Sequence, residues 1–220
     1  MLERLKKLLF PPKCMLCGRL LGEKEEICSA CRAEIYLNTA PPRLSRKAGF
    51  DAATAGLWYQ GQVRNAIHGL KYREKQSYAR PLARVMAYTV QNKLEESYDL
   101  VTFVPSNRRT ERNRGYNQAE LLARELAEML SLPCIRTLEK RRTTRAMHDL
   151  TPEQRMENVR DAYRICCAPE LLAGKCILLA DDVLTTGATL SECAFELKRN
   201  GASAVFGICA AATERKNQKV

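Results

Sequence analysis

The sequence has no long hydrophobic run. None of its apolar segments reaches the about 18 consecutive residues that a membrane-spanning helix needs, so we expect no membrane span. The opening residues, MLERLKKLLFPPKC, carry an apolar part that is too short and too charged for a secretory signal. We therefore expect the protein to reside in the cytoplasm, where thiols stay reduced.

Histidine is also scarce. The chain has only two, His68 and His148, and they lie far apart in the sequence. The cysteines beyond residue 31 have no histidine near them in sequence, which argues against a cysteine nucleophile activated by histidine. No internal repeat is present, so a repeat architecture is not expected.

Acidic residues are outnumbered by basic ones, 25 against 36, which gives a formal net charge of +11. A basic excess of this size favours polyanionic partners, either nucleic acid or phosphorylated small molecules. A diffuse charge that only keeps the protein soluble is the alternative. Basic side chains are concentrated in residues 108–114 and 140–145, however, and this clustering favours an anion-binding surface.

Beyond residue 50, short apolar strands alternate with helical patterns. YDLVTFVP, KCILLA and ASAVFGICAAA indicate buried strands, and NQAELLARELAEMLSL indicates a helix. This alternation predicts an α/β fold with a mainly parallel sheet flanked by helices. Residues 62–94 carry helical periodicity with a break near Pro81, whereas residues 139–158 are polar, basic and weakly patterned, which predicts a long mobile loop.

Four of the ten cysteines form two CxxC pairs close to the N-terminus: Cys14, Cys17, Cys28 and Cys31. Two such pairs supply four thiolates in the tetrahedral arrangement that suits Zn²⁺. Because protein would fill all four positions, we predict a structural zinc; free or redox-active thiols are the alternative. The expected organisation is an N-terminal helix and four-cysteine zinc ribbon (1–37), a linker (38–49), the α/β body (50–213) and a tail (214–220).

The segment ILLADDVLTTGATL, residues 177–190, suggests a ligand. We expect a buried strand to end at Asp181 and Asp182, and a turn of small residues to lead into a helix. Such a turn directs backbone N–H groups at an anion, and the helix N-terminus adds positive partial charge. The residues predicted to hold a phosphate are Thr185, Thr186, Gly187, Ala188 and Thr189.

Ionised carboxylates only accept hydrogen bonds. Asp181 and Asp182 are therefore predicted to accept from the 2′- and 3′-hydroxyls of a ribose 5-phosphate. Mg²⁺ bound to the sugar and to a pyrophosphate would offset their paired charges.

This segment resembles the phosphoribosyl pyrophosphate (PRPP) signature of type I phosphoribosyltransferases. Together with four further stretches, it resembles the ComF family over nearly the whole chain and in the family's order. The stretches are FPPKCMLCG, YQGQVRNAIHGLKY, VPSNRRTERNRGYNQAELLA and EQRMENVRDAYR. The resemblance implies a type I phosphoribosyltransferase-like domain behind a zinc ribbon, and a role in DNA uptake during natural competence.

By the same resemblance, Ser106, Asn107 and Arg108 form a pyrophosphate-binding loop, and residues 139–158 form a flexible hood over the substrate. The loop departs from the family, which usually has a second proline there. Met147 also stands where many members have glutamine.

We therefore expect a protein that binds PRPP with Mg²⁺ and acts on DNA through contact with single strands. The resemblance also implies a DNA-uptake helicase as a partner. If the protein is a pentosyl-transferring glycosyltransferase, the candidate catalytic residues are Asp181, Asp182 and Arg108. Two further hypotheses stay open: a salvage phosphoribosyltransferase for a nucleobase, and a non-catalytic DNA-binding module regulated by PRPP. The sequence names no acceptor.

Overall fold

The computed structural model describes residues 13–22, 25, 27–37, 41, 43–45, 49–72, 75–94, 96–144 and 150–214 of the 220-residue chain. The short helix predicted before Pro11 lies outside these residues. None of the described helices is both long enough and apolar enough to cross a membrane.

The helices and strands alternate through the body as the hydrophobic pattern predicts. The helices are α1 (Ser29–Leu37), α2 (Gly61–Tyr72), α3 (Ala79–Lys93), α4 (Arg108–Arg114), α5 (Gln118–Leu130), α6 (Pro152–Val159) and α7 (Ala188–Arg199). The strands are β1 (Leu44–Ser45), β2 (Ala52–Trp58), β3 (Leu100–Phe103), β4 (Leu138–Lys140), β5 (Tyr163–Ile165), β6 (Cys176–Leu184) and β7 (Ala204–Ala212).

The main sheet has the strand order β1-β2-β7-β6-β3. The pairs β2–β7, β7–β6 and β6–β3 are parallel, and only β1 runs antiparallel to its neighbour within this sheet. The last strand along the chain, β7, thus lies between β2 and β6. Strands β4 and β5 form a separate antiparallel pair. The predicted fold class, a mainly parallel sheet flanked by helices, is confirmed.

The sheet separates two apolar cores. On one face, α2, α3 and α5 contribute fully buried side chains such as Ile67, Leu82 and Leu122. On the other face, α7 packs together with β4 and β5, and Leu197 and Leu138 are buried. Full burial of one such side chain stabilises the fold by about 1.5–3 kcal/mol. The two faces therefore hold the sheet from both sides.

The connector between ribbon and body is fastened to the sheet. Its residues Leu44 and Ser45 form β1, and the carbonyl of Pro41 accepts hydrogen bonds from Thr54 Oγ1 at 3.4 Å and Lys93 Nζ at 2.9 Å. The connector thus contributes an edge strand, while the bounds of the proposed domains stay a prediction.

The predicted break in the helical periodicity of residues 62–94 lies between α2, which ends at Tyr72, and α3, which begins at Ala79. Pro81 itself lies in the first turn of α3, where its missing N–H is not needed for an intrahelical bond.

One local expectation is wrong. Residues 139–158 are not one long loop, because they contain the end of β4 and most of α6. Helix α6 begins with a capping box, in which Thr151 and Gln154 each bond to the other's backbone N–H.

Candidate functional site

The acidic pair lies inside β6 rather than beyond its end. The strand continues to Leu184, which is in register with Ala212 of β7. The expectation that the strand ends at Asp181 is therefore wrong, because pairing with β7 carries on past the charges. The backbone N–H of Asp182 donates to Asp181 Oδ1 at 2.8 Å.

Neighbouring side chains on a strand point to opposite faces of the sheet. Asp182 lies on the same face of β6 as Leu178, which belongs to the core under α2, α3 and α5. Asp181 lies on the same face of β6 as Leu179, which belongs to the core under α7. The two carboxylates therefore have different surroundings despite being adjacent in sequence.

Asp182 has a cationic partner that the sequence analysis missed. Lys71, in the last turn of α2, places its Nζ 2.6 Å from Asp182 Oδ2, and the two side chains are 22% and 8% exposed. Burial disfavours the charged form of Lys71, but the attraction of Asp182 outweighs it and raises the pKa of Lys71. The pair thus places a cation against one of the predicted hydroxyl acceptors.

Asp181 is in a different electrostatic situation. Burial, reinforced by the neighbouring charge of Asp182, raises the pKa of Asp181 to about 8. The charge of Asp181 contributes to the pKa values of Lys140 on β4, Tyr163 on β5 and Cys193 on α7, in the direction that raises each of them. At neutral pH this carboxyl group therefore holds a proton more readily than an ordinary aspartate does.

The turn after β6 leads into α7 through a glycine in the left-handed region. Gly187 has φ of 82°, a left-handed value that favours glycine, and it immediately precedes α7. A Cβ at this position would lie 3.5 Å from the Phe50 ring. The Ala188 N–H is bonded to Thr186 Oγ1 at 3.3 Å, and the Thr189 hydroxyl bonds to Tyr163. Thr185 completes the turn and is partly exposed.

The predicted pyrophosphate loop leaves the same edge of the sheet. Strand β3 is the parallel neighbour of β6, and the Val104 N–H donates to the Ala180 carbonyl at 3.0 Å. Asn107 caps α4 by accepting from the Arg109 N–H at 2.9 Å. Ser106 Oγ donates to Glu111 Oε1 at 2.9 Å. The side chain of Arg108, whose backbone begins α4, lies outside the described residues.

A second asparagine, Asn117, is buried, was missed from the sequence and supports this edge. Asn117 donates from Nδ2 to the Val104 carbonyl and accepts at Oδ1 from the Ala119 N–H, both at 3.0 Å. It thereby ties the loop after β3 to the start of α5. Its place just before an apolar helical pattern is the N-cap signal that would have found it.

A basic cavity lies beside Asn107. Its volume is about 280 Å³, and its other lining residues are Glu139, Lys140, Arg141, Arg142, Thr143 and Arg164. One of the four cations, Arg164, pairs with Glu139 at 2.6 Å, which leaves the cavity with an excess of positive charge. Burial lowers the pKa of Lys140, whose Nζ donates to Thr144 Oγ1 at 2.8 Å. The second basic cluster of the sequence therefore meets the predicted pyrophosphate loop here.

The predicted zinc ligands come together in the ribbon. The Sγ atoms of Cys14, Cys17, Cys28 and Cys31 all lie within 4.8 Å of one another, and only Cys17 of these four is exposed. Burial opposes ionisation of Cys14, yet backbone N–H groups outweigh it and lower its pKa to about 7. A compact set of four thiols with one readily ionised member fits a structural zinc ion, as predicted.

The ribbon sits on the N-terminal half of the helix that carries Lys71. Cys31 Sγ lies 3.5 Å from Gln62 Oε1 of α2. Met15 is buried in the same core as Ile67 of α2. The Tyr116 hydroxyl, which follows α4, donates to the Leu70 carbonyl near the other end of α2. Helix α2 thus contacts the ribbon, the acidic pair and the segment after the predicted pyrophosphate loop.

Comparisons with known proteins agree with these observations. Residues 5–43 match the family described as a double zinc ribbon domain. The chain is 28% identical to DNA utilization protein YhgH of Escherichia coli strain K12, over 89% of this chain and 88% of that protein. It is 26% identical to Competence protein F of Haemophilus influenzae, over 86% of this chain and 92% of that protein.

Solved structures overlap with part of the chain. For glutamine phosphoribosylpyrophosphate amidotransferase from B. subtilis, the TM-score is 0.43 at 17% identity, covering 65% of this chain and 30% of that one. For adenine phosphoribosyltransferase from Thermoanaerobacter pseudethanolicus, it is 0.36 at 15% identity, covering 64% and 68%. The chain thus spans less than a third of the amidotransferase. The full-length homologues and the zinc ribbon confirm the resemblance of this chain to the ComF proteins.

Proposed function

We propose that this chain is a ComF-like protein that binds PRPP with Mg²⁺ on its α/β body and acts on DNA, in uptake or processing, through contact with single strands. The observation that carries the proposal is the junction of β6 and α7. There, the two carboxylates are followed by the last two residues of β6, by a threonine-rich turn and by Gly187 at φ of 82° before a helix. Ligands of open α/β sheets bind at this carboxyl edge of the strands.

Each part of PRPP has a chemical counterpart at this edge. The turn of residues 185–189 suits the 5-phosphate, and Asp181 and Asp182 suit the ribose hydroxyls. Ser106, Asn107 and Arg108 suit the pyrophosphate. Mg²⁺ would be carried on the pyrophosphate and sugar oxygens of the ligand, where it supplies positive charge, so that the protein holds the ion through PRPP.

If the protein is a transferase, the bond between ribose C1 and pyrophosphate breaks and pyrophosphate leaves with the bonding electrons. The acceptor then supplies an electron pair to C1. The chain's part is to orient the sugar through Asp181 and Asp182, neutralise the leaving group through Arg108 and exclude water.

Calorimetry with PRPP and Mg²⁺ tests the ligand. We expect binding to the wild type, and weaker binding of ribose 5-phosphate, which lacks the pyrophosphate. Asp181→Asn and Asp182→Asn should each abolish binding, since an amide cannot become the ionised acceptor that the ribose hydroxyls require. Asp99→Asn is the matched control, because Asp99 is in an exposed ion pair with Lys175 at the start of β3. Full PRPP affinity in both acidic-pair variants would contradict the assignment.

Pyrophosphate release separates the enzyme hypotheses from the binding module. PRPP is incubated with nucleobases or with single-stranded DNA, and pyrophosphate is measured. Release with a nucleobase supports salvage, and release with DNA supports a DNA-processing transferase. PRPP binding without release in either mixture supports the non-catalytic module.

The basic cavity supports the DNA part of the proposal. Anisotropy with labelled single-stranded DNA over a salt series should give an affinity that falls steeply with salt. Replacing Arg141 and Arg142 by alanine should weaken binding and reduce the salt slope by about 1 to 2. The control removes the same charge elsewhere, at Arg80 and Arg124. Equal losses in the two double variants would contradict a role for the cavity. A DNA-uptake helicase is proposed as a partner from the resemblance alone.

A further inference from the structure

Lys71 occupies an unusual position beside the acidic pair. Its Nζ lies 2.6 Å from Asp182 Oδ2, with both side chains largely buried. Taking two charges out of water costs several kcal/mol per ion, and their attraction repays this only when the geometry is good. A long, flexible lysine also loses rotamer freedom when it is held in one place. Such a pair stabilises the fold little, so its location calls for a local explanation.

The rest of α2 fixes the place of Lys71. Ile67 and Leu70 are fully buried in the core under this face of the sheet. The Leu70 carbonyl accepts from the Tyr116 hydroxyl, and Gln62 contacts Cys31 of the ribbon. Helix α2 is therefore fixed by contacts along its length, and this fixes the position from which Lys71 reaches Asp182.

Charged and titratable groups surround the pair on several elements. Those whose charge reaches Asp182 or Lys71 are Tyr59 after β2, Asp181 on β6 and Cys209 on β7. Those that face Asp181 from the other side are Lys140 on β4, Tyr163 on β5 and Cys193 on α7. Of all these groups, Lys71 is the cation in direct contact with the acidic pair.

We infer that Lys71 is a positioning residue that holds the Asp182 carboxylate as a fixed acceptor for a ribose hydroxyl. The inference rests on the proposed function. Lys71 contacts Oδ2, which leaves Oδ1 as the atom for the hydroxyl. Asp181 already holds one proton readily near neutral pH. Without the ammonium group, the acidic pair would have no cation in contact with it among the described residues, so a second proton would bind the pair more readily and Asp182 would lose its acceptor character.

The experiment measures PRPP affinity in the presence of Mg²⁺ across the neutral pH range. The variants are Lys71→Met, which keeps the apolar stem, and Lys71→Arg, which keeps the charge. We expect Lys71→Met to weaken binding about tenfold to a hundredfold at neutral pH. The affinity of the wild type should fall at low pH, and this fall is the acid limb of the profile of affinity against pH. Lys71→Met should shift the acid limb to higher pH by about one unit or more. Lys71→Arg should keep the acid limb of the wild type.

Lys175→Met is the matched control. Lys175 forms a similar ion pair with Asp99 at 3.0 Å, but its side chain is 43% exposed and lies at the other end of the strands. This variant should leave both the affinity and the profile unchanged. An acid limb in Lys71→Met that coincides with that of the wild type would overturn the inference, even if affinity fell, because a merely structural loss does not move the profile.

A measurement without ligand separates this inference from the proposed function. Unfolding is compared for Lys71→Met, Asp182→Asn and the double variant. A double variant that is less destabilised than the sum of the single variants shows that Lys71 holds Asp182. Additive losses would overturn the inference. Absence of PRPP binding to the wild type would instead overturn the proposed function, and the ligand-free cycle would still decide whether Lys71 holds the carboxylate.

Discussion

The two faces of β6 treat adjacent aspartates in opposite ways. On the side of α2, Asp182 meets the Lys71 ammonium group at 2.6 Å, within a face on which the ribbon also packs. On the side of α7, Asp181 faces Tyr163 and Cys193, and burial raises its pKa to about 8. One carboxylate therefore has its countercharge built into the fold, whereas the other lacks a comparably close cation among the described contacts.

This difference shows that two adjacent aspartates of one motif can have different electrostatic roles. Two carboxylates side by side would repel each other if both were ionised in the same surroundings. The fold lessens this repulsion by directing the two side chains to opposite faces of the sheet and by pairing Asp182 with Lys71, while Asp181 holds a proton readily. A ligand that carries a divalent cation would favour ionisation of Asp181. Under the proposed function, the charge state of Asp181 therefore depends on whether PRPP is bound.

Removing zinc should have the largest effect, and it should be confined to the α2 face. Structural zinc binding contributes about 10–16 kcal/mol in zinc-finger peptides, and the ribbon's own buried cluster consists of Cys14, Cys28 and Cys31. We expect Cys28→Ser to abolish hydrogen-exchange protection in the ribbon and to lower it in α2, while α7 keeps its protection. Cys134→Ser is the control outside the ribbon. Unchanged protection of α2 would show that the ribbon does not support this face.

Breaking the ion pair should give the next largest effect. Asp182→Asn leaves the largely buried Lys71 without its carboxylate, and we expect a loss of about 3 kcal/mol or more in the free energy of unfolding. Denaturant titration measures it. Asp99→Asn, in the exposed Lys–Asp pair, should lose far less because solvent screens that pair. Equal losses in the two variants would remove the distinction between the buried and exposed pairs.

Asp181→Asn should act in the opposite direction. Because the folded-state pKa is raised from 3.8 to about 8, the folded chain binds the proton more tightly than the unfolded chain. Wild-type stability therefore falls as pH rises through this window, and at pH 8 the variant should be more stable by at least about 1 kcal/mol. Thermal unfolding across the window checks this. A variant that is less stable than the wild type at pH 8 would mean that Asp181 is stabilised as an anion.

The smallest stability effect expected is at the turn. Gly187→Ala places a side chain at φ of 82° with the Phe50 ring 3.5 Å away, which should cost about 1–2 kcal/mol. Gly174→Ala is the control, since Gly174 has φ of 71° and open space around it. Both variants should lose similar stability, but only Gly187→Ala should weaken PRPP binding. Equal PRPP affinity in the two would remove the turn from the site.

Local sequence signals predicted much of this molecule. The two CxxC pairs gave the ribbon, because chelation by short turns depends on spacing alone. The alternation of apolar strands and helices gave the fold class, and the order of acidic pair, threonines and glycine located the β6–α7 junction. Each of these features is determined within a few neighbouring residues, which is why it can be recognised before the chain is folded.

What the sequence did not reveal depends on distant contacts or on weak local signals. Nothing near Lys71 marks it as the partner of Asp182, since the two meet only after α2 and β6 pack together. The basic cavity likewise combines Asn107 with residues of β4 and β5. Helix α6 was predicted as loop because residues 139–158 as a whole are polar and basic, although the Thr151–Gln154 capping box was present in the sequence. Composition there outweighed a short but specific signal.

The position of β7 has a consequence for how the protein is made. This strand is the last of the sheet along the chain, yet it lies between β2 and β6. During synthesis, β2 and β6 emerge before β7. Each therefore lacks the neighbouring strand that joins them until β7 is available. Lys71, on the helix that follows β2, and Asp182, within β6, are therefore brought together late. Since such long-range pairing is slow, a newborn chain exposes the apolar faces of both halves until its final strand inserts.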